Sequence, residues 1–154
     1  GLRGLTATIL LLLSIYLGWK FETWRPFNLS VISLLALNAV VGLAKLEFGR
    51  TKPRLNVDLL YAGGMSYPSG HASNAVLTWG LIAYLYIQYV QPRLGVIRVA
   101  SFSVVVISTV VFCVSIFRNT HWISDLLGGV AIGTALLLLI IAVDRSIPSR
   151  RSNL

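Results

Sequence analysis

Charge is what this chain has least of, and acids are the scarcest charges. Only 12% of its 154 residues are charged, about half the share of an average soluble domain. Five acids stand against thirteen bases, for a formal net charge of +8, and histidine, at two, and methionine, at one, are rarer still. The one cysteine, Cys113, lies inside an apolar run. A disulfide and a thiolate metal site are therefore excluded, and cysteine usage says nothing about redox compartment. Long stretches, at residues 26–44, 99–117 and 126–143, contain no ionisable acid or base.

What remains is apolar, 56% of the chain. Each uncharged stretch approaches the roughly 20 residues that a membrane-spanning helix needs, and residues 4–19 and 72–89 add two more candidates. A soluble domain of this length cannot bury five such helices on all sides. The chain therefore reads as an all-α polytopic membrane helix bundle, a single domain over 1–154. About five transmembrane helices are expected, at 4–19, 27–45, 71–90, 96–117 and 123–143. The chain opens at Gly1 and its only methionine is Met65, which points to an upstream segment removed or lying before Gly1. A cleaved signal peptide is disfavoured, because residues 4–19 lack the small-residue cleavage pattern and more helices follow.

The basic excess lies in the loops between apolar runs rather than along one soluble face, which points away from nucleic acid and towards anionic lipid headgroups and phosphorylated substrates. With alternating loops, Lys20, Arg25, Arg93, Arg98, Arg145, Arg150 and Arg151 share one side, and Arg3, Lys45, Arg50, Lys52, Arg54 and Arg118 the other. If Lys45, Lys52 and Arg118 are retained for chemistry, the remaining excess places the first set in the cytoplasm. The expected site is then an integral membrane protein of the bacterial inner (plasma) membrane, with its chemistry facing the extracytoplasmic side.

That second side carries the informative residues. Pro68-Ser69-Gly70-His71 stands at the start of the third helix, where Ser69 suits an N-cap and Gly70 allows close backbone approach, so outward N–H groups can meet an anion. His121 and Asp125 are spaced i, i+4, so the carboxylate can accept from one imidazole nitrogen and leave the other as base or nucleophile. Either motif alone could be a helix cap with an incidental histidine. The basic cluster from Lys45 to Arg54 alone could be interfacial charge at a helix C-terminus. No third ligand groups with the histidines, so a metal site is not implied.

Taken in order, Lys45 with Lys52-Pro53, then Pro68-Ser69-Gly70-His71, then His121 with Asp125, resembles the three-part signature of the type-2 phosphatidic acid phosphatase superfamily of lipid phosphate phosphatases, whose core usually has six helices. The resemblance implies that His121 attacks phosphorus to form a phosphohistidine while Asp125 orients it. It implies that His71 protonates the departing oxygen and later helps activate water. Lys45, Lys52, Ser69, Gly70 and Arg118 would hold the phosphate oxygens, and no cofactor or metal is implied. Two departures stand out. Lys52 replaces an arginine of the first motif, giving a point charge where the family has a bidentate fork, and Ser115 replaces the arginine of the third, six residues before the histidine. Arg118, one helical turn later, can reach the same phosphate.

The resemblance implies hydrolysis of a phosphorylated lipid: a polyprenyl pyrophosphate, phosphatidic acid, phosphatidylglycerol phosphate or a phosphorylated glycolipid. A phosphotransferase with a non-water acceptor and a non-catalytic lipid-phosphate-binding subunit are the alternatives. A transporter fits less well, because the helices lack midplane charges and paired broken segments. The residues name neither the particular lipid nor the oligomeric state.

Overall fold

Punctuation by capping and turn residues sets the helix limits. In the computed structural model, which describes residues 2–49, 51, 65–118 and 121–148, five helices follow in order: α1 Leu2–Lys20, α2 Arg25–Glu47, α3 Gly70–Tyr89, α4 Leu94–Phe117 and α5 Ile123–Ser146. No strand runs among the described residues. Pro26 opens α2, where its missing N–H costs nothing. The Ser69 hydroxyl accepts from the Ala72 amide, 3.4 Å away, and caps α3. Lys20, Lys45 and Arg145 occupy last turns, where cations meet the negative end of the helix dipole. The turn joining α1 to α2 is tight: Thr23 donates back to the Gly18 carbonyl at 2.9 Å, and Glu22 takes a left-handed φ of 52°.

α3 is the central helix, packed against each of the other four. By length and composition, α2, α4 and α5 can cross a membrane, and α1 is a shorter apolar helix. α3, the span expected at 72–89, keeps its place in the five-helix bundle but is not among the helices apolar enough to be marked by composition alone. The reason is its position. Enclosed by its neighbours, α3 has little face for lipid and can carry Ser73, Asn74, Thr78 and Tyr84. Leu77, Leu81 and Leu85 on α3 form the core with Leu10, Leu17, Leu37 and Val41.

Polar groups at such depth must be satisfied internally, since an unpaired one costs several kcal/mol in hydrocarbon. Ser30 and Ser33 donate to carbonyls one turn back, at 2.9 and 2.6 Å, and Ser73 does the same to Ser69 at 3.1 Å. At the end of the bundle where α2 begins and α5 finishes, Arg25 Nε lies 2.7 Å from Asp144 Oδ1. The Tyr84 hydroxyl donates to Asp144 Oδ2 at 2.7 Å. One carboxylate thus ties three helices at the end remote from both histidine motifs.

At the other end α3 and α5 come closest. A Cβ added at Gly133 would meet the Ser73 carbonyl oxygen at 2.7 Å, and one added at Gly129 would run into the Ser69 carbonyl. The spacing Gly129-x-x-x-Gly133 is the small-residue pattern that lets two helix backbones touch in a membrane. Contact at this register brings the start of α3, with His71, beside the start of α5, with His121.

Candidate active site

The segment Met65 to Ser69, just before α3, is held from two sides. From α2, the Lys45 ammonium donates to the Met65 carbonyl. From α5, Asp125 takes most of the load: its carbonyl accepts the Ser69 amide at 2.8 Å, and its Oδ2 accepts the Ser66 hydroxyl. The same Oδ2 accepts the Trp122 amide at 2.9 Å, closing the first turn of α5. Asp125 is fully buried, so its charge is met by local donors and by the helix N-terminus.

His121 sits one residue before the Trp122 cap, with its side chain only 8% exposed. Its Nδ1 is 3.0 Å from the Ser66 carbonyl oxygen. A carbonyl can only accept, so Nδ1 carries the proton and Nε2 presents its lone pair. Here the sequence expectation needs amending. The i, i+4 spacing led to a direct Asp125–His121 hydrogen bond, but the carboxylate stands 3.7 Å from Nδ1. Its nearer oxygen is already engaged by Ser66 and Trp122, so it fixes the imidazole through Ser66. At that distance it still stabilises an imidazolium charge.

His71, the second residue of α3, turns its ring towards His121: the centroids are 6.3 Å apart and the planes 64° from parallel. Ser69 and Gly70 are buried beneath them. Arg118 is the exposed C-cap of α4 and keeps helical geometry, its amide donating to the Val114 carbonyl at 3.0 Å. Ser115 lies one turn earlier and is buried, its hydroxyl turned back to Val111. Lys52 lies outside the described residues. Among the described residues, no three of His, Cys, Asp or Glu group to hold a metal ion.

The model of the PAP2 superfamily matches residues 4–147. The chain belongs to the PAP2 superfamily. Phosphatidylglycerophosphatase B of Bacillus subtilis (strain 168) is 29% identical to it over 90 residues, 58% of this chain and 44% of that protein. The chain thus spans less than half the length of this curated relative. The crystal structure of a transmembrane PAP2-type phosphatidylglycerolphosphate phosphatase from Bacillus subtilis shares the fold, with a TM-score of 0.70 at 24% identity. That likeness covers 97% of this chain and 76% of the other. The PAP2 assignment therefore covers the whole helix bundle, and within it Lys45, Ser69, Gly70, His71, His121 and Asp125 gather around one short segment.

Two contributors escape a reading of the sequence. Ser66 is an ordinary loop serine there, and nothing in its spacing marks it. Trp122 reads as an interfacial aromatic, yet its indole N–H donates to the Thr51 carbonyl at 3.0 Å and ties α5 to the chain leaving α2. Gly129 and Gly133 did carry a signal, the four-residue spacing of small residues inside an apolar run.

Proposed function

We propose that this chain hydrolyses the phosphate ester of a membrane lipid through a phosphohistidine formed on His121. The observation that carries the reading is the facing pair of imidazoles, 6.3 Å between ring centroids, one of which has its Nδ1 committed to a carbonyl. His121 Nε2 attacks phosphorus, the N–P bond forms and the ester P–O bond breaks. His71 delivers a proton to the departing lipid oxygen. Water then attacks the phosphohistidine while His71 accepts its proton, releasing phosphate and restoring Nε2. Asp125, acting through Ser66, holds the tautomer and steadies the positive ring. Lys45, Lys52 and Arg118, with the backbone at Ser69 and Gly70, hold the non-bridging oxygens in the transition state.

Phosphatidylglycerol phosphate leads the candidate substrates, since the curated relative and the solved structure both bear the name of its phosphatase. The chemistry requires no metal. The distribution of basic residues supports a bacterial plasma membrane location with the site on the outer side. The test is phosphate release by purified protein across a panel of lipid phosphates and pyrophosphates, with and without EDTA. Wild type is expected to turn over in EDTA. His121→Ala is expected to lose activity by at least about 1000-fold while its thermal unfolding stays unchanged. Near-normal turnover by that variant would remove the covalent histidine, and loss in EDTA with rescue by a divalent ion would remove the metal-free scheme.

A further inference from the structure

A cavity of about 300 Å³ opens directly beneath His71, between α1, α3 and α4. Its walls are apolar, including Leu5, Ile9, Trp79, Val106 and Val110, with one interruption: Thr6 and Asn74. The Thr6 hydroxyl donates to Asn74 Oδ1 at 3.0 Å, across from α1 to α3. That bond occupies the carbonyl side of the amide and turns its NH2 the other way. Among the described residues that nitrogen meets no acceptor. Asn74 follows His71 by three residues, so the two project from one helix face about 4.5 Å apart along the axis.

This order along the cavity is phosphate chemistry, then a hydrogen-bond donor one turn deeper, then hydrocarbon. We propose that Asn74, oriented by Thr6, is a specificity-determining residue that donates to a glycerol-linker oxygen of the substrate lipid, an ester carbonyl or a glycerol hydroxyl. The occupant of the cavity is therefore a glycerolipid phosphate. An isoprenoid phosphate offers only carbon at that depth and leaves the amide unpaired, which a site built to make a hydrogen bond penalises. Continuity of the cavity with His71 assigns the same lipid to both. The inference rests on the proposed lipid-phosphate reading and adds to it the residue that selects a glycerol-linked lipid.

The test compares two non-hydrolysable phosphonates of equal chain length, one a diacylglycerol phosphonate and the other a branched dialkyl phosphonate without linker oxygens. Binding to detergent-solubilised protein is measured by competition, so turnover is not required. Wild type is expected to prefer the oxygen-bearing ligand by roughly tenfold, the worth of one hydrogen bond in a water-poor cavity. Asn74→Leu and Thr6→Val are each expected to remove most of that preference without weakening the dialkyl ligand, and Asn74→Ser to restore part of it. Equal binding of both ligands by wild type would overturn the proposal, as would an equal loss for both in the variants. Phosphate release by wild type is assayed separately. Failure there refutes the hydrolase reading alone, while failure of ligand discrimination refutes the linker contact alone.

Discussion

Ser66, in the segment just before α3, holds two members of the His121–Asp125 motif through opposite ends of one residue. Its hydroxyl donates to Asp125 and its carbonyl accepts a hydrogen bond from Nδ1 of His121. Ser66→Ala keeps the carbonyl but strips a donor from a buried carboxylate, a loss expected to cost about 1–3 kcal/mol of stability. It should also lower kcat by about tenfold or more with KM nearly unchanged, because ring orientation matters most as charge develops. Thermal unfolding and steady-state kinetics on one preparation check both; a KM effect alone would show that Ser66 does not act through the nucleophile. Arg118 carries a second prediction. Because α4 keeps helical geometry to its cap, Arg118 and Ser115 lie one turn apart, so Arg118→Ala should lose a charge-assisted phosphate contact. The expected cost is about 2–4 kcal/mol, or roughly 30- to 1000-fold in kcat/KM. Recovery in Ser115→Arg with Arg118→Ala would assign the loss to phosphate binding, whereas normal kcat/KM in the single variant would leave Arg118 as an interfacial charge.

Among the helices, α3 and α5 decide whether the site exists. A methyl group at Gly129 runs into backbone rather than a movable side chain, so Gly129→Ala must part the two helices. That overpacking is expected to cost about 1–3 kcal/mol and to lower kcat, since the histidines ride on these two helix starts. Gly42→Ala, where an added Cβ meets nothing within 4 Å, is the control and should be neutral or slightly stabilising. Equal melting temperatures and rates in the two variants would refute the close-contact account. The helices themselves were legible in the sequence to within a few residues at each boundary, because uncharged runs bounded by proline, serine and basic residues define them physically. The central place of α3 was less so. Its polar residues make sense only once its neighbours are known, and no spacing rule for a single helix records what surrounds it.

For the molecule as a whole, the ends of the bundle are chemically unlike: one carries the Arg25–Asp144–Tyr84 cluster, the other both histidines. On the proposed orientation, with the first end in the cytoplasm, a cysteine placed at exposed Met65 in a Cys113-free background should react with an impermeant thiol reagent in intact cells. One at exposed Glu22 should react only after the membrane is opened. The reverse pattern would invert the orientation. The motifs in the sequence group Lys45, His71, His121 and Asp125, and in the structure these residues lie around the segment from Met65 to Ser69 and the start of α3. The sequence could not supply the Ser66 bridge, because a contact spanning 55 residues of chain to His121 depends on how α3 seats against α5, which no local pattern states.

The placement of Asp125 and His121 at the head of α5 has a consequence for assembly. The segment from Met65 to Ser69 is held from α2 by Lys45, but its second anchor, Asp125, is synthesised only with α5. On the proposed mechanism, a chain synthesised only through α4 carries His71 and its cavity without the attacking nitrogen of His121. On that mechanism competence arrives with α5, and α1 to α4 inserted alone are expected to leave lipid phosphates untouched.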